Sequence, residues 1–249
     1  MKRVIIAIIL LINITIVFGQ TKLDWKWGRV DGSWAEYMSI AADDSGNVYC
    51  LGYAYGGSQI FFETDTIKGY DQFFVKFDSL GNKLWLKKFE NGLSPIQVEI
   101  SKNDNIFFTY FFTPGDKLDT MVYTTNGFGI IEYSKGGDIK KMLNYEGDFG
   151  TRNMKIAENG DIYITGRTMS NINFGNYTLI NSGENNAFCA RLKNDGSCVW
   201  AKIVGDYKSN NDIDIAVDKI GNLYLAITLG DAYSSTTIFE SKIMKYDSL

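Results

Sequence analysis

Apolar and polar residues alternate in four short stretches of the chain, each a few residues before a cluster of Asp, Asn and Gly. The alternating apolar pairs are Ile40 and Ala42, Val98 and Ile100, Met154 and Ile156, and Ile215 and Val217. Successive side chains of a β-strand point to opposite faces of a sheet, so this alternation predicts strands with one apolar face. The intervening residues, expected to face the other way, are Ala41, Glu99, Lys155 and Ala216.

A turn motif follows each of these stretches. It occurs as Asp44–Tyr49, Asn103–Phe107, Glu158–Tyr163 and Lys219–Tyr224. Its anchor positions 47, 105, 161 and 222 are spaced by 58, 56 and 61 residues. Asx side chains and Gly favour a tight turn, and the β-branched and aromatic residues that follow favour a strand.

A second motif keeps the same spacing. It occurs as Lys76–Gly81, Glu132–Gly137, Arg191–Gly196 and Lys245–Leu249, with positions 77, 133, 192 and 246 separated by 56, 59 and 54 residues. Two motifs in phase over four copies indicate an internal repeat. Repeat two departs most from the others, because its turn lacks the Gly and Lys141-Met142 replaces the Trp.

Each repeat is predicted to form four short strands joined by tight or moderate turns. Such a sheet has two apolar faces, and stacking repeats around an axis buries both. The predicted fold is all-β: a β-propeller-type array of four repeats of about 58 residues, each a four-stranded antiparallel blade. A two-sheet sandwich is the alternative, but it does not explain a regular period. The 25 Gly, 15 Tyr and 16 Phe, with only 2 Pro, also favour strands and turns.

The N-terminus has the pattern of a secretory signal peptide. After a basic start, Val4 to Phe18 is an almost wholly apolar run of 15 residues, shorter than the roughly 20 that a membrane-spanning helix needs. Cleavage is expected after Gly19, and a retained N-terminal anchor is the alternative. The predicted organisation is a signal peptide at 1–19 and a repeat domain at 20–249. Its repeats are 28–89, 90–145, 146–204 and 205–249, with an N-terminal strand at 21–27.

Charge argues against nucleic acid as a partner. The formal net charge is −4, and loss of Lys2 and Arg3 with the signal peptide would make it −6. Binding to nucleic acid requires a basic patch, and this chain has no basic run. The expected location is secreted or cell-surface, with no membrane span after signal cleavage, and the expected partner is a protein or a glycan.

The sequence excludes several kinds of catalytic and metal site. It contains no His, which removes Ser-His-Asp and Cys-His nucleophilic sites and every His metal site. No Cys-x-x-Cys pair, Gly-x-Gly-x-x-Gly or phosphate-binding loop occurs, so no cofactor and no metal is expected. A quinoprotein-like propeller, which the Trp and Gly repeats superficially echo, lacks its cofactor signature. Asp43–Asn47 is faintly like a calcium loop, but a turn bonded by its own Asx side chains is the simpler interpretation.

Carboxylates and thiols leave two questions open. Asp212 and Asp214 lie two residues apart on the predicted inner strand of repeat four, and paired carboxylates cleave glycosidic bonds without His. A solvated strand edge is the alternative, and Glu36 is a lone further candidate. Cys189 and Cys198 flank a predicted tight turn, where they either form a disulfide or serve as small apolar strand residues. Cys50 is given the second role.

The motifs together resemble those of bacterial proteins with SBBP repeats, a family named for a seven-bladed β-propeller. The best-fitting segments are Asp44–Tyr49, Asp71–Asp78 and Gly81–Trp85, followed by Glu158–Gly166 and Asn186–Trp200. The resemblance extends from Trp25 to Leu249. It implies export and a surface or extracellular role, often as one module of a larger protein, and it supplies no catalytic residues.

Four repeats are fewer than the seven that the family name implies. Either the chain is a fragment of a larger propeller, or it closes with four blades, the low end of known propellers. In the second case Thr21–Trp25, which is similar to Gly81–Trp85, would complete the last blade.

Propellers usually bind at one end of the central channel, through the loops that enter the inner strands. Here those loops span residues 32–37, 92–95, 150–153 and 208–212, and the candidate binding residues are Trp34, Tyr37, Arg152, Asn153 and Asp212. Aromatic packing between blades is the alternative role for the rings. The expected function is an exported, non-enzymatic interaction module that binds protein or glycan. The alternative is an extracellular carboxylate-dependent hydrolase or lyase acting on polysaccharide.

Overall fold

Antiparallel β-sheets make up the described part of the chain. The computed structural model describes residues 26–28, 35–55, 59–89, 93–182, 185–206, 213–229 and 240–247. Regular structure in these ranges is all strand, and none of it is a helix long and apolar enough to cross a membrane. The predicted signal peptide at 1–19 and most of the predicted strand at 21–27 lie outside the described residues.

The strands form four sheets, which we call blades 1 to 4. Blade 1 and its hairpin comprise β1 (Ala35–Ala42), β2 (Val48–Ala54), β3 (Gln59–Phe62), β4 (Asp65–Lys68), β5 (Gln72–Phe77) and β6 (Lys83–Phe89). Blade 2 comprises β7 (Ser94–Ile100), β8 (Ile106–Phe112), β9 (Lys117–Leu118), β10 (Met121–Val122), β11 (Gly127–Tyr133) and β12 (Ile139–Glu146). Blade 3 comprises β13 (Phe149–Ile156), β14 (Ile162–Thr168), β15 (Ile172–Asn173), β16 (Thr178–Leu179), β17 (Asn186–Leu192) and β18 (Cys198–Asp206). Blade 4 comprises β19 (Ile213–Val217), β20 (Leu223–Leu229) and β21 (Glu240–Tyr246).

The predicted fold class is confirmed. Blades 1 to 3 are four-stranded antiparallel sheets in the orders β1-β2-β5-β6, β7-β8-β11-β12 and β13-β14-β17-β18, and blade 4 shows β19-β20-β21. The first strands β1, β7, β13 and β19 contact one another in sequence, so they lie on the inside of the array. This is the arrangement of propeller blades.

A short hairpin between the second and third strands of blades 1 to 3 was not predicted. The hairpins are β3–β4, β9–β10 and β15–β16, where the sequence indicated only tight or moderate turns. Their apolar side chains pack into the blade cores, as Phe62 does in blade 1, Leu118 in blade 2 and Ile172 in blade 3. The hairpins therefore extend one end of the array, which we call the hairpin end.

Three apolar layers join the blades. One layer holds Phe74 of blade 1 against Phe108 and Tyr133 of blade 2, with ring centroids 5.3 and 5.6 Å apart. The next joins blades 2 and 3, and the third joins blades 3 and 4 around Tyr163 and Leu225. Blades 2 and 3 thus bury both faces against their neighbours, which explains why their strands lack a simple polar face.

The alternating apolar residues of the inner strands are not buried in every repeat. Val98, Met154 and Ile215 are buried between blades, as the alternation predicts. Ile40 holds the same position in blade 1 but is 69% exposed. The reason is its place in the array, because no blade precedes blade 1 among the described residues.

Repeat two keeps a complete four-stranded blade despite its divergent sequence. Where the other repeats have Gly46, Gly160 and Gly221 with positive φ, repeat two has Asp104 at φ 56°. Asp is one of the few residues that tolerate this left-handed conformation, because its short side chain bonds locally. The turn therefore survives the loss of glycine.

The turn after β1 is bonded by its own side chains, as the simpler interpretation predicted. The Asp43 carboxylate accepts hydrogen bonds from the backbone N–H groups of Ser45 (3.0 Å) and Asn47 (2.9 Å), the Asn47 amide (2.8 Å) and the Tyr49 hydroxyl (3.1 Å). Burial alone would raise the pKa of Asp43, but these hydrogen bonds outweigh it and hold the pKa below its usual value. Asp218 makes the equivalent bonds to Ile220, Asn222 and Tyr224 in blade 4.

We expect Asp43→Ala to lower the free energy of unfolding at pH 7 by about 2 kcal/mol, because bonds to a charged acceptor are lost. A carboxylate with a depressed pKa stabilises the fold above its unfolded pKa, about 3.9, and loses that contribution as the pH falls. Urea denaturation of the variant and the wild type should therefore converge below about pH 4. Asp44→Ala, at an exposed neighbour, is the control and should leave stability unchanged. A constant difference at all pH values would contradict this role.

Candidate ligand-binding site

A large concave surface lies at the hairpin end, between blades 2 and 3. This interblade cleft has a volume of 880 Å³. Its floor contains Phe112, Tyr123, Tyr145 and Phe174, and its rim contains Asn126, Asn144, Glu146, Asp148 and Asn173. Neighbouring strands are antiparallel, so the hairpins and the connections between blades meet at this end. The cleft exists because hairpin β9–β10 and hairpin β15–β16 stand on either side of it.

The floor is a rigid cluster of aromatic rings. Tyr123 stacks on Phe112 with centroids 4.0 Å apart at 18°, and Tyr145 meets Phe174 edge-on at 5.3 Å. The Tyr145 hydroxyl donates to the Gly196 carbonyl at 2.8 Å, which ties the floor to the next blade. All four rings are at least nine-tenths buried, so the floor is formed before any ligand arrives.

A group of hydroxyls and one amide connects the floor to the rim. The Tyr110 hydroxyl donates to Asn144 Oδ1 at 2.6 Å and lies 2.7 Å from the Tyr123 hydroxyl. Burial raises the pKa of both tyrosines, so both phenols stay protonated at neutral pH. Since its oxygen faces these hydroxyls, the Asn144 amide group turns toward the cleft, where its Nδ2 lies 3.6 Å from Met121 Sδ.

The rim carries exposed polar side chains, and those of them that are charged are carboxylates. The side chains of Glu146 and Asp148 are exposed, as are those of Asn126 and Asn173. The Gly147 N–H donates to the Asn126 carbonyl at 3.0 Å and holds the two sides of the rim together. Among the described residues that line the cleft there is no Lys or Arg.

A smaller pocket of 290 Å³ continues the cleft toward the inner strands. It shares Phe112, Asn126 and Asp148 with the cleft and adds Arg167 and Asn185. Within the described part of the chain, the buried Oδ1 atom of Asn185 has no hydrogen-bond partner. An unpaired buried oxygen is costly, so this atom is a position where a ligand donor would be favourable.

Three of the five candidate binding residues predicted from sequence lie among the described residues. Trp34 and Asp212 lie outside the described residues. Tyr37 packs edge-on against Phe73 at 5.5 Å within blade 1, and the Asn153 amide donates to the Ile213 carbonyl of blade 4. Arg152 is exposed at a β-bulge of β13. Tyr37 thus packs within its own blade and stays 44% exposed, and Asn153 joins two blades.

The predicted carboxylate candidates have separate surroundings. Asp214 is exposed on blade 4, where its Oδ1 accepts the N–H of Ile215 at 2.8 Å. Glu36 accepts the hydroxyls of Tyr55 at 2.7 Å and Tyr53 at 2.9 Å, and these bonds lower its pKa. Its partners are therefore neutral hydroxyls at the hairpin end of blade 1.

The disulfide left open by the sequence is not formed. Cys189 pairs across β17–β18 with Lys202, whereas Cys198 pairs with Leu192, and the two thiols enter different apolar layers. Burial raises the pKa of Cys189 to about 12 and that of Cys198 to about 11, so both stay protonated. They serve as small apolar strand residues, and Cys50 is likewise buried. The described ranges contain no group of three Cys, Asp or Glu side chains arranged to hold a metal ion.

Sequence reasoning missed the cleft because its walls belong to the hairpins. The signal available was length: Thr113 to Asn126 separates strands two and three in repeat two, far more than a tight turn needs. A connection of that length often carries function. Which blade surfaces it would face, however, depends on packing between repeats.

Comparisons with known proteins found similarity only to solved structures. No protein-family model matches the chain, and no curated protein matches it. A protein of unknown function from Bacteroides caccae is similar with a TM-score of 0.47 and 13% identity, over 84% of this chain and 62% of that one. A polysaccharide lyase described as an ulvan lyase has a TM-score of 0.46 and 13% identity, over 85% and 52%. An apocarotenoid oxygenase from Synechocystis has 0.39 and 12%, over 80% and 47%. This chain thus spans between about half and three fifths of their lengths.

Proposed function

We propose that this protein is an exported, non-enzymatic binding module that takes a neutral glycan in the interblade cleft. The observation that carries the proposal is the cleft itself, 880 Å³ with a preformed aromatic floor and a polar rim. Binding sites are typically concave and preformed, with a few polar groups that fix the ligand. The apolar segment from Val4 to Phe18 supports export, and the SBBP-like repeats support a surface role.

The rim chemistry favours a hydroxyl-rich ligand. Carboxylates at Glu146 and Asp148 accept hydrogen bonds from hydroxyls, and the amides of Asn126 and Asn173 both donate and accept. The two carboxylates disfavour an anionic ligand in the cleft, whereas Arg167 adds a cation in the smaller pocket that continues it. A neutral glycan satisfies these groups, and a basic peptide is the protein ligand that the same charge would admit.

We expect the double variant Glu146→Gln and Asp148→Asn to weaken glycan binding roughly 10- to 100-fold, because each loses a charge-assisted hydrogen bond. A panel of neutral and acidic oligosaccharides identifies the ligand, and calorimetry then measures its affinity for each variant. The matched control is Asp138→Asn, an exposed carboxylate at the opposite end of blade 2. Binding of acidic oligosaccharides only, or equal affinities in all three proteins, would contradict the proposal.

The carboxylates also support a second candidate, a polysaccharide hydrolase or lyase. Glu146 and Asp148 stand on one wall of the cleft, and two carboxylates are sufficient for glycosidic cleavage. The same panel separates the two functions when product release is followed over hours. Turnover that the double variant abolishes would make the protein an enzyme, whereas binding without turnover supports the module.

A further inference from the structure

The first and the last blade of the array each have one face that no other blade covers among the described residues. On blade 1 this face carries the exposed Ile40 and the half-buried Val48, while the buried Cys50 and Phe77 line a pocket of 320 Å³ there together with Trp27. We call it the blade-1 face. The blade-4 face consists of Asp214, Tyr224, Ala226, Ile243 and Lys245, all exposed. Ile40 is 69% and Ile243 is 85% exposed, so the two faces do not cover each other within one chain.

The blade-4 face repeats the face that blade 1 turns toward blade 2. Tyr224 and Lys245 are paired across two strands, as are Tyr49 and Lys76 in blade 1. The ammonium lies 5.9 Å from the ring centroid in the first pair and 5.0 Å in the second. The pair in blade 1 is covered by the next blade, and the pair in blade 4 is not. The blade-4 face is therefore built to receive a blade.

A polar residue on each inner strand reaches the next blade. Ser39 accepts the N–H of Val98 at 3.0 Å, and Gln97 accepts the N–H of Met154 at 2.6 Å. Asn153 also reaches the next blade, but there its amide donates to the carbonyl of Ile213. Asp214 is the fourth member of this series, which is spaced by 58, 56 and 61 residues like the repeat. Its counterpart in a following blade would be the N–H at the position of Ile40.

Trp27 already lies where the outermost strand of a preceding blade would be. Its indole N–H donates to the Ser79 carbonyl at 3.2 Å, in the turn that ends β5. Trp85 of blade 1 makes the same bond to blade 2 at Lys135, 3.1 Å, and Lys141 of blade 2 makes it to blade 3. Trp27, Trp85 and Lys141 are spaced by 58 and 56 residues. Trp27, not Trp25 as the sequence comparison suggested, is thus the counterpart of Trp85.

The repeated Tyr–Lys pair, the polar residues of the inner strands and the position of Trp27 all indicate the same occupant for the blade-1 face. We propose that it docks the blade-4 face of a second copy, so that two chains close head-to-tail into a ring of eight blades. The chain carries both halves of the contact, and within the described residues of one copy Ile40 and Ile243 at their centres stay exposed. Blade 4 shows three strands among its described residues, and the Trp27 segment of the other copy lies at the position of the fourth. A two-fold ring uses both faces of both copies, and about eight blades is within the range of propellers.

The internal interfaces define the expected contacts. Phe74 meets Phe108 and Tyr133 of blade 2. Ile243 holds the position in blade 4 that Phe74 holds in blade 1, and Cys50 and Phe77 hold the positions of Phe108 and Tyr133. Ile243 would therefore meet Cys50 and Phe77 of the second copy. Asp214 would accept the N–H of Ile40.

The test is the oligomeric state of the purified protein, measured by analytical ultracentrifugation over a range of concentrations. We expect a dimer, and we expect Ile243→Asp to raise its dissociation constant by roughly a hundredfold or more, because a charge enters the centre of an apolar contact. The ring contains this contact twice, so the substitution acts twice. Ile40→Asp tests the other face and should have the same effect. Both side chains are exposed, so near-ultraviolet circular dichroism should show an unchanged fold.

The matched control is Ile180→Asp, since Ile180 is 67% exposed but lies on neither face. It should dimerise like the wild type. A monomeric wild type at all concentrations would overturn the proposal, as would a dimer that tolerates Ile243→Asp. Open-ended polymers that both face variants abolish would also overturn the ring, because they would show that the contact does not close.

Discussion

Gly166→Ala should lower the free energy of unfolding by about 3 kcal/mol or more, because the added methyl group has no space. Gly166 lies in β14 opposite Thr151 of β13. A Cβ atom there would overlap the carbonyl oxygen of Gly150 and would lie 2.8 Å from the Gly150 carbonyl carbon and 2.9 Å from the Thr151 Cα. These are backbone atoms, so no side-chain rotation relieves the clash. The two strands would have to separate.

Urea denaturation followed by circular dichroism measures this loss. The control is Gly136→Ala in the turn of blade 2, where the nearest atoms to an added Cβ are 3.5 Å away. That variant should be within about 0.5 kcal/mol of the wild type. Equal losses of stability in both glycine variants would show that the close approach of the strands at Gly166 is not the cause.

Phe74→Ala should cost about 3 to 5 kcal/mol, because it opens a cavity between blades 1 and 2. The Phe74 ring is fully buried and lies 5.0 Å from Trp85, 5.3 Å from Phe108 and 5.6 Å from Tyr133. Stability in a repeat array is the sum of the repeats and of the contacts between neighbours. Loss of this contact should therefore also uncouple blade 1 from the rest.

A near-ultraviolet circular-dichroism melt reports both effects. The wild type should unfold in one sharp transition, and Phe74→Ala should show a lower and broader one. Phe61→Ala is the control, since Phe61 is 54% exposed on hairpin β3–β4. A sharp transition in the Phe74 variant, shifted no more than in the control, would mean that the layer between blades 1 and 2 does not couple them.

The repeat and its strands could be predicted because they depend on local chemistry. The turn from Asp43 to Asn47 forms from side chains within four residues of one another, and its sequence recurs in phase with the strands. Patterns of this kind are local, so one sequence suffices to find them.

The proposed binding cleft could not be predicted in the same way. The sequence placed candidates on the loops into the inner strands, yet Asn153 joins blades and Tyr37 packs on Phe73. The cleft instead combines Tyr123 from a hairpin of blade 2 with Phe174 from a hairpin of blade 3. Whether such distant segments share a wall depends on the angle and register between blades, and no local pattern encodes these.

By itself the sequence determined the all-β class, the four repeats and the turns that bound their strands, since hydrophobic period and turn residues act over a few positions. The tertiary structure alone decided which blade faces are covered. Ile40 and Val98 are equivalent in the pattern, but of the two only Val98 is buried, because within the described ranges a blade precedes blade 2 and none precedes blade 1. It also decided that the cysteines do not pair, since Cys189 of β17 and Cys198 of β18 point to opposite faces of blade 3. Burial is a property of neighbours in space, and the order of blades supplies those neighbours.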